Sequence, residues 1–289
     1  MAAATADVRT VGVVGLGTMG AGIAQVCSQA GFETIGVEVS AELGERARDR
    51  VAHYLGRSVE KGRLTADERD AALSRLSTAT ELDALAHCDL VVEAIVEEID
   101  AKRSLFADLD HIVTDARFLA TNTSALSVTE IAAATSRPER VVGLHFFNPA
   151  PVLPLVEVVR TERVDPAVYE AAFAFAEQLG KEPIRCNDTP GFVVNRILIP
   201  LLNDCVRVVD EAGVAPEDVD RAMTGGARWP LGPCALIDLI GVDVHVHASE
   251  ALWGALREPR MAPPARLVRM AKAGHLGRKS GRGFFCYET

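Results

Sequence analysis

VGVVGLGTMGAGIAQ, residues 11–25, joins a β-branched run to a stretch of small residues through Gly15, Gly17 and Gly20. The G-x-G-x-x-G spacing follows a strand pattern and opens a helix pattern. In that setting the first glycine permits a tight turn, the second lets the backbone approach a pyrophosphate, and the third allows close helix–strand packing. The helix start, where Thr18 and Met19 lie, adds free N–H groups and partial positive charge for phosphates. Glycine-rich turns also serve merely to reverse a chain, so context matters. FETIGVEV, residues 32–39, supplies it: a second strand pattern with Glu38 near its end, twenty-three residues after Gly15. A carboxylate there accepts hydrogen bonds from a ribose diol and repels a 2′-phosphate, which favours NAD over NADP. A solvated strand end is the plainer account of Glu38.

Working outward, CDLVVEAI (88–95), RFLATNT (117–123), RVVGLHFF (140–147), LPLVEVVR (153–160) and EPIRCN (182–187) continue the strand series, with helix-length sequence between most of them. This alternation predicts an α/β fold: a Rossmann-type, mostly parallel sheet with helices on both faces. From Asp188 onward no strand pattern is convincing. A boundary near Asn187 therefore gives a dinucleotide-binding domain over 1–187 and an all-α domain over 188–289. The stretch TPGFVVNRILIPLLNDCVRVVDEAG, residues 189–213, is apolar on nearly every face. It predicts a buried helix, kinked at Pro200 and suited to a dimer contact.

Composition narrows the function. The 289 residues carry a net charge of −10, which argues against nucleic acid as the main partner. No apolar run is long enough to span a bilayer, and MAAATADVRT does not read as a secretory signal. The six cysteines are scattered with no C-x-x-C pair, which suits a reducing cytoplasm better than a disulfide frame or zinc site.

Ligands in this sheet class sit at the carboxyl ends of the strands. FLATNTS places Asn122, Thr123 and Ser124 at such an end, and GLHFFNP places His145 at another. Glu157 is the only carboxylate near that histidine in an otherwise apolar run, and an ionisable group there needs a partner. Asn195 lies among apolar residues of the long helix. Each residue also has a dull reading: Ser124 as an N-cap, Asn195 as a tie between helices, His145 as a satisfied core histidine.

The motifs GLGTMGAGIAQ, VVEAIVEEIDAKRSLF, ATNTSALSV, GLHFFNPAPVLPLVEVV, DTPGFVVNRIL, WPLGP and LGRKSGRGFF occur in order over nearly the whole chain. In these the sequence resembles the L-3-hydroxyacyl-CoA dehydrogenase family in its short, single-function form. The resemblance implies NAD-dependent oxidation of a 3-hydroxyacyl-CoA, with His145 as general base, Glu157 holding its imidazole, Ser124 on the substrate's C3 oxygen and Asn195 steadying the substrate from the second domain. It also implies a homodimer, and places Glu97, Lys102 and Asn148 near the cofactor or a closing loop; an exposed helix pair is the alternative for the first two. The chain departs from the family pattern at Glu38, where Asp is usual, at Ala125 after Ser124, and in WPLGPCALID, where Trp229 would reshape the acyl pocket. These departures bear on the acyl group, not on the reaction type.

Between Glu38 and the next strand pattern, Arg46, Arg48, Arg50, Arg57, Lys61 and Arg63 form a basic run in an acidic protein. It suits the phosphates of coenzyme A, and the resemblance singles out Lys61 as a CoA contact; an acyl carrier protein or a solvated helix would fit it too. His245 and His247 diverge on a helix and have no further ligands nearby, so no metal is expected. The rival functions are a dehydrogenase of a carrier-bound or free 3-hydroxy acid, and a non-catalytic dinucleotide-binding regulator.

Overall fold

The computed structural model describes residues 8–288. The chain divides into two compact units between Thr189 and Pro190. Asp188, placed by sequence in the second domain, thus belongs to the first. Its carboxylate accepts from Ser127 Oγ (2.9 Å), Val128 N (3.1 Å) and Thr129 N (2.7 Å).

The first unit is an eight-stranded sheet with strand order β3-β2-β1-β4-β5-β6-β7-β8. It opens with β1 (Thr10–Val14), α1 (Thr18–Gln29), β2 (Glu33–Val37), α2 (Ala41–Glu60), α3 (Ala66–Ser74) and β3 (Leu76–Ala79). It continues through β4 (Leu90–Glu93), α4 (Ile99–Ile112), β5 (Phe118–Thr121), α5 (Val128–Ala132) and β6 (Val141–Phe146), and closes with β7 (Leu155–Arg160), α6 (Pro166–Gln178) and β8 (Glu182–Asn187). All neighbouring strands pair parallel except β6 and β7, which are antiparallel. The expected fold class is therefore observed. The sequence reading missed β3, whose LSTA is too short and too weakly apolar to stand out; pairing with β2 holds it in place.

Strand periodicity explains both faces. Val11, Val13, Leu90, Val92, Phe118, Ala120, Val142, Leu144, Phe146, Val156 and Val158 join one apolar cluster with α1, α2 and α6. Phe175 of α6, fully buried, packs against Phe32 and Phe118 with centroids 5.5 and 6.2 Å apart. A side chain of this kind stabilises the fold by about 1.5–3 kcal/mol through burial alone. The alternate residues face the other way, under α4 and α5, and there the strands carry Glu93, Thr121, His145 and Glu157. Helix starts follow their local chemistry: Ser40 caps α2 through Leu43 N, and Thr65 with Glu68 forms a capping box on α3.

The second unit is helical, with α7 (Val194–Glu211), α8 (Pro216–Arg221), α9 (Pro233–Ile240), α10 (Val242–Leu256) and α11 (Ala265–Lys272). The long helix departs from expectation in two ways. It starts at Val194, inside the stretch 189–213, because Gly191 (φ +77°) and Phe192 (φ 49°) both take left-handed backbone that stops a helix from forming. Nor is it buried all round: Ile199, Leu202, Val206 and Val209 face the unit's core, but Ile197 is 62% and Val208 47% exposed.

Inside this unit lies a neutral polar knot. His245 Nε2 lies 2.9 Å from Asn203 Oδ1, and Asn203 Nδ2 donates to Ser249 Oγ and to the carbonyls of Arg260 and Met261. The amide oxygen accepts, so Nε2 carries the hydrogen, and the buried Nδ1 has no hydrogen-bond partner. Protonating Nδ1 would bury a donor without an acceptor, and burial accordingly lowers the His245 pKa to about 4. The unfolded state therefore binds this proton first: the stabilisation is complete above pH 6.5 and is lost as pH falls toward 4. Urea unfolding of the wild type and of His245→Gln at pH 7 and pH 4 should show that the variant has shed about 3 kcal/mol of this pH dependence.

Candidate active site

The glycine turn is built to leave space. Gly15 sits at φ +82°, and its N–H donates to Val37 O at 2.9 Å, tying the turn to β2. A Cβ on Gly20 would lie 1.7 Å from Gly15 O, so the helix can approach the turn only without one. A Cβ on Gly17 would meet nothing within 4 Å. That opening lies at the N-terminus of α1, with Thr18 exposed and Met19 half-buried in its first turn. Glu38 closes the site from β2: its Oε2 accepts from Leu16 N (2.9 Å) and its Oε1 from Val39 N (2.8 Å). An open cradle with helix N–H donors suits a diphosphate, and an adjacent carboxylate acceptor suits a ribose diol.

At the other end of the sheet, His145 and Glu157 are direct cross-strand partners in the β6–β7 register. His145 Nδ1 stands 2.6 Å from Glu157 Oε2, and both residues are buried. A carboxylate only accepts, so Nδ1–H faces it and the neutral ring keeps its lone pair on Nε2, the arrangement of a base. The Phe147 ring packs against the imidazole at 4.5 Å. Asn122 Oδ1 accepts from Phe146 N at 2.9 Å and so braces the residue next to His145.

Between these two places lies a buried ionic network. Glu93, fully buried, accepts from Lys102 Nζ (2.5 Å), Ile95 N (2.7 Å) and Thr121 Oγ1 (2.7 Å). Lys102 is 1% exposed and also reaches Glu97 Oε2 at 3.4 Å. The exposed-pair alternative for Glu97 and Lys102 is thereby excluded. Glu97 Oε1 receives Thr123 Oγ1 (2.7 Å), Ser124 N (2.7 Å), Ser124 Oγ (3.1 Å) and Ala125 N (3.2 Å). Burial works to raise the Glu97 carboxyl, but the Lys102 charge and these donors outweigh it, leaving the group below the usual carboxylate range.

A groove of about 760 Å³ runs between α1 and α2. Thr18, Gly22, Gln25 and Gln29 line one side at helical spacing, and Arg50, Tyr54, Arg57 and Lys61 line the other. Arg63 and the loop Asn148–Val152 complete it. The basic run is thus divided: Arg46 pairs with Glu42 away from the groove, whereas Arg50, though exposed, lines it and donates to Leu16 O at 2.9 Å. Lys181 Nζ holds the loop that carries Asn148 by donating to Ala150 O and Leu153 O.

In the second unit, Asn195 sits in the first turn of α7 and is half-buried rather than enclosed. Trp229 packs on that unit's core cluster.

Comparison with known proteins places this geometry. The family model of the 3-hydroxyacyl-CoA dehydrogenase NAD-binding domain matches residues 10–189, and that of its C-terminal domain matches residues 191–287. The chain belongs to the 3-hydroxyacyl-CoA dehydrogenase family. A 3-hydroxybutyryl-CoA dehydrogenase of Mycobacterium tuberculosis is 45% identical over 97% of this chain and 99% of its own. A 3-hydroxyadipyl-CoA dehydrogenase of Escherichia coli is 42% identical over 96% of this chain and 59% of its own. The crystal structure of (S)-3-hydroxybutyryl-CoA dehydrogenase from Ralstonia eutropha superposes with a TM-score of 0.94 at 41% identity, covering 98% of this chain and 100% of that one.

Within this family member, sequence reasoning passed over Glu93, Thr121 and the bond from Arg50 to Leu16 O. Glu93 carried the same signal as Glu157, a lone carboxylate in an apolar strand. Cys186, on β8 beside the dyad, is no rival nucleophile: burial, with the nearby Glu157 and Asp188, pushes its thiol up to about 12. Lys102→Met would leave Glu93 buried without its cation, so chemical denaturation should show a loss of about 3–5 kcal/mol.

Proposed function

We propose that this protein oxidises (S)-3-hydroxyacyl-CoA thioesters to 3-oxoacyl-CoA, reversibly, with His145 as the general base. The observation that carries this reading is the buried His145–Glu157 pair at the sheet's carboxyl edge. NAD, when bound, supplies the hydride acceptor. His145 Nε2 takes the 3-hydroxyl proton, and the Glu157 carboxylate across Nδ1–H stabilises the imidazolium that forms. Ser124 and Asn195 are the side chains we assign to the substrate's oxygens. Gly15, Gly17, Thr18, Met19, Gly20 and Glu38 are assigned to the adenosine diphosphate half of the cofactor, with Glu97, Lys102, Asn122 and Asn148 toward its other end. In the reverse direction the protonated His145 donates to the 3-oxo oxygen.

The test is His145→Gln. A positioned base contributes about 10²–10⁴-fold, so kcat should fall by that factor while NADH affinity, read by fluorescence titration, stays within about twofold. Unchanged turnover would sink the assignment.

The α1–α2 groove supports coenzyme A over a free acid, because Arg50, Arg57, Lys61 and Arg63 offer paired charge to phosphates. An ionic hydrogen bond contributes about 1.5–3 kcal/mol. Lys61→Ala should therefore raise KM for the CoA thioester about 10- to 100-fold and leave KM for a truncated thioester without the nucleotide unchanged. If an acyl carrier protein were the natural donor, the loss would appear with the carrier-bound substrate instead.

Two further assignments accompany this reading. The six cysteines are free thiols, which suits the cytoplasm; no helix among the described residues is long and apolar enough to cross a membrane. The exposed Ile197, Val208, Leu239 and Val244 of the second unit suit a homodimer face.

A further inference from the structure

The groove between α1 and α2 reaches the glycine turn. Thr18, the first residue of α1, lines it, and so does Arg50 from α2. Arg50 Nη2 donates to Leu16 O at 2.9 Å and to Gly17 O at 3.5 Å, so one nitrogen holds two consecutive carbonyls of that turn. The N–H of the same Leu16 donates to Glu38 Oε2 at 2.9 Å. Leu16 is thus gripped from both sides, by the carboxylate assigned to the ribose and by a guanidinium of the groove. A guanidinium is a rigid fork of five N–H donors. The turn occupies one of its three nitrogens, which leaves Nη1 and Nε for a ligand in the groove. Arg50 can therefore meet a phosphate without releasing the turn. Until it does, the side chain is exposed and is held by Nη2 alone.

We propose that Arg50 couples the two ligands: a phosphate of the CoA thioester in the groove fixes Arg50 against the Leu16 and Gly17 carbonyls and so tightens binding of the dinucleotide at the turn. This rests on the reading that the groove takes the phosphates of coenzyme A. The physical basis is that the ordering is done once. Whichever ligand binds first immobilises the bridge, and the second meets it already fixed. Immobilising one rotamer-rich side chain amounts to about a 2- to 12-fold change in affinity, which sets the size of the coupling. Linkage makes the effect reciprocal, so the dinucleotide must tighten the CoA thioester by the same factor. Lys61 lines the same groove but, among the described residues, has no bond to the turn. It adds affinity without coupling.

Butyryl-CoA is the probe, because a saturated thioester lacks the 3-oxo group that NADH would reduce. On the full-length protein, NADH affinity is titrated by fluorescence with and without saturating butyryl-CoA, and butyryl-CoA affinity by calorimetry with and without NADH. The wild type should tighten by about 2- to 12-fold in both directions. S-butyryl-pantetheine, which lacks the nucleotide, should produce no tightening. Arg50→Met should bring the factor to about 1, and Lys61→Ala should weaken butyryl-CoA yet keep the wild-type factor. Arg50→Lys keeps the charge but not the fork, so it should bind butyryl-CoA better than Arg50→Met while its factor also falls to about 1. A factor that survives in Arg50→Met, or one that S-butyryl-pantetheine reproduces, would overturn the proposal. If removing the nucleotide leaves the thioester's own affinity unchanged, the CoA reading of the groove fails. If the nucleotide adds affinity but the wild-type factor is about 1, only the coupling fails.

Discussion

A carboxylate enclosed in a protein must find donors or give up its charge, and one face of this sheet is arranged around that requirement. Glu93 and Glu157 are both fully buried. Each is met from the neighbouring strand by the residue directly across the register, Thr121 for Glu93 and His145 for Glu157. A slip of one residue in either pairing would turn these groups into the apolar cluster on the opposite face, where nothing could satisfy them. Strand register is thus enforced by electrostatics as well as by hydrophobic burial, and the same enforcement delivers an oriented imidazole to the sheet edge.

The two units solve the problem of buried polarity differently. The first uses charge: Lys102 between two carboxylates, and an imidazole against a third. The second meets its buried groups with neutral partners: the Asn203 amide serves His245, Ser249 and two backbone carbonyls, and the enclosed Asp238 carboxylate accepts from Phe284 N, Phe285 N and the Tyr287 hydroxyl. Charged pairs are costly to assemble but strongly directional, which suits the proton exchange proposed for His145. The neutral knot ties helices together and has no such duty, and its histidine is held away from protonation by burial.

Much of this was legible in the sequence because the relevant signals are local. The glycine spacing, the strand before it and Glu38 after it describe one continuous βαβ segment. His145 and Glu157 announced themselves as ionisable residues in an apolar run. What was not legible depended on long-range pairing. The strand Leu76–Ala79 exists because β2 is there to receive it. The network of Glu93, Lys102 and Glu97 depends on how α4 lies over β4, which no periodicity states. For α7, an apolar pattern on all sides implied enclosure, but it also describes a helix with one face in its own core and another uncovered, as Ile197 is.

The contact between Gly20 and the Gly15 carbonyl leaves the phosphate turn no slack, since a single added carbon would sit at bonding distance from that oxygen. Backbone path and helix position are locked together there, and no substitution can retune one without the other. The discrimination proposed for Glu38 between phosphorylated and unphosphorylated nucleotides would rest on the end of β2. Ser40 is committed as the cap of the next helix, and Glu38 is held through its backbone N–H on Ala79 O (3.1 Å) and its carboxylate on Leu16 N, whereas Val39 is 85% exposed. Of the two positions before that cap, Val39 can be changed without touching the turn, whereas replacing Glu38 releases Leu16 N from its acceptor.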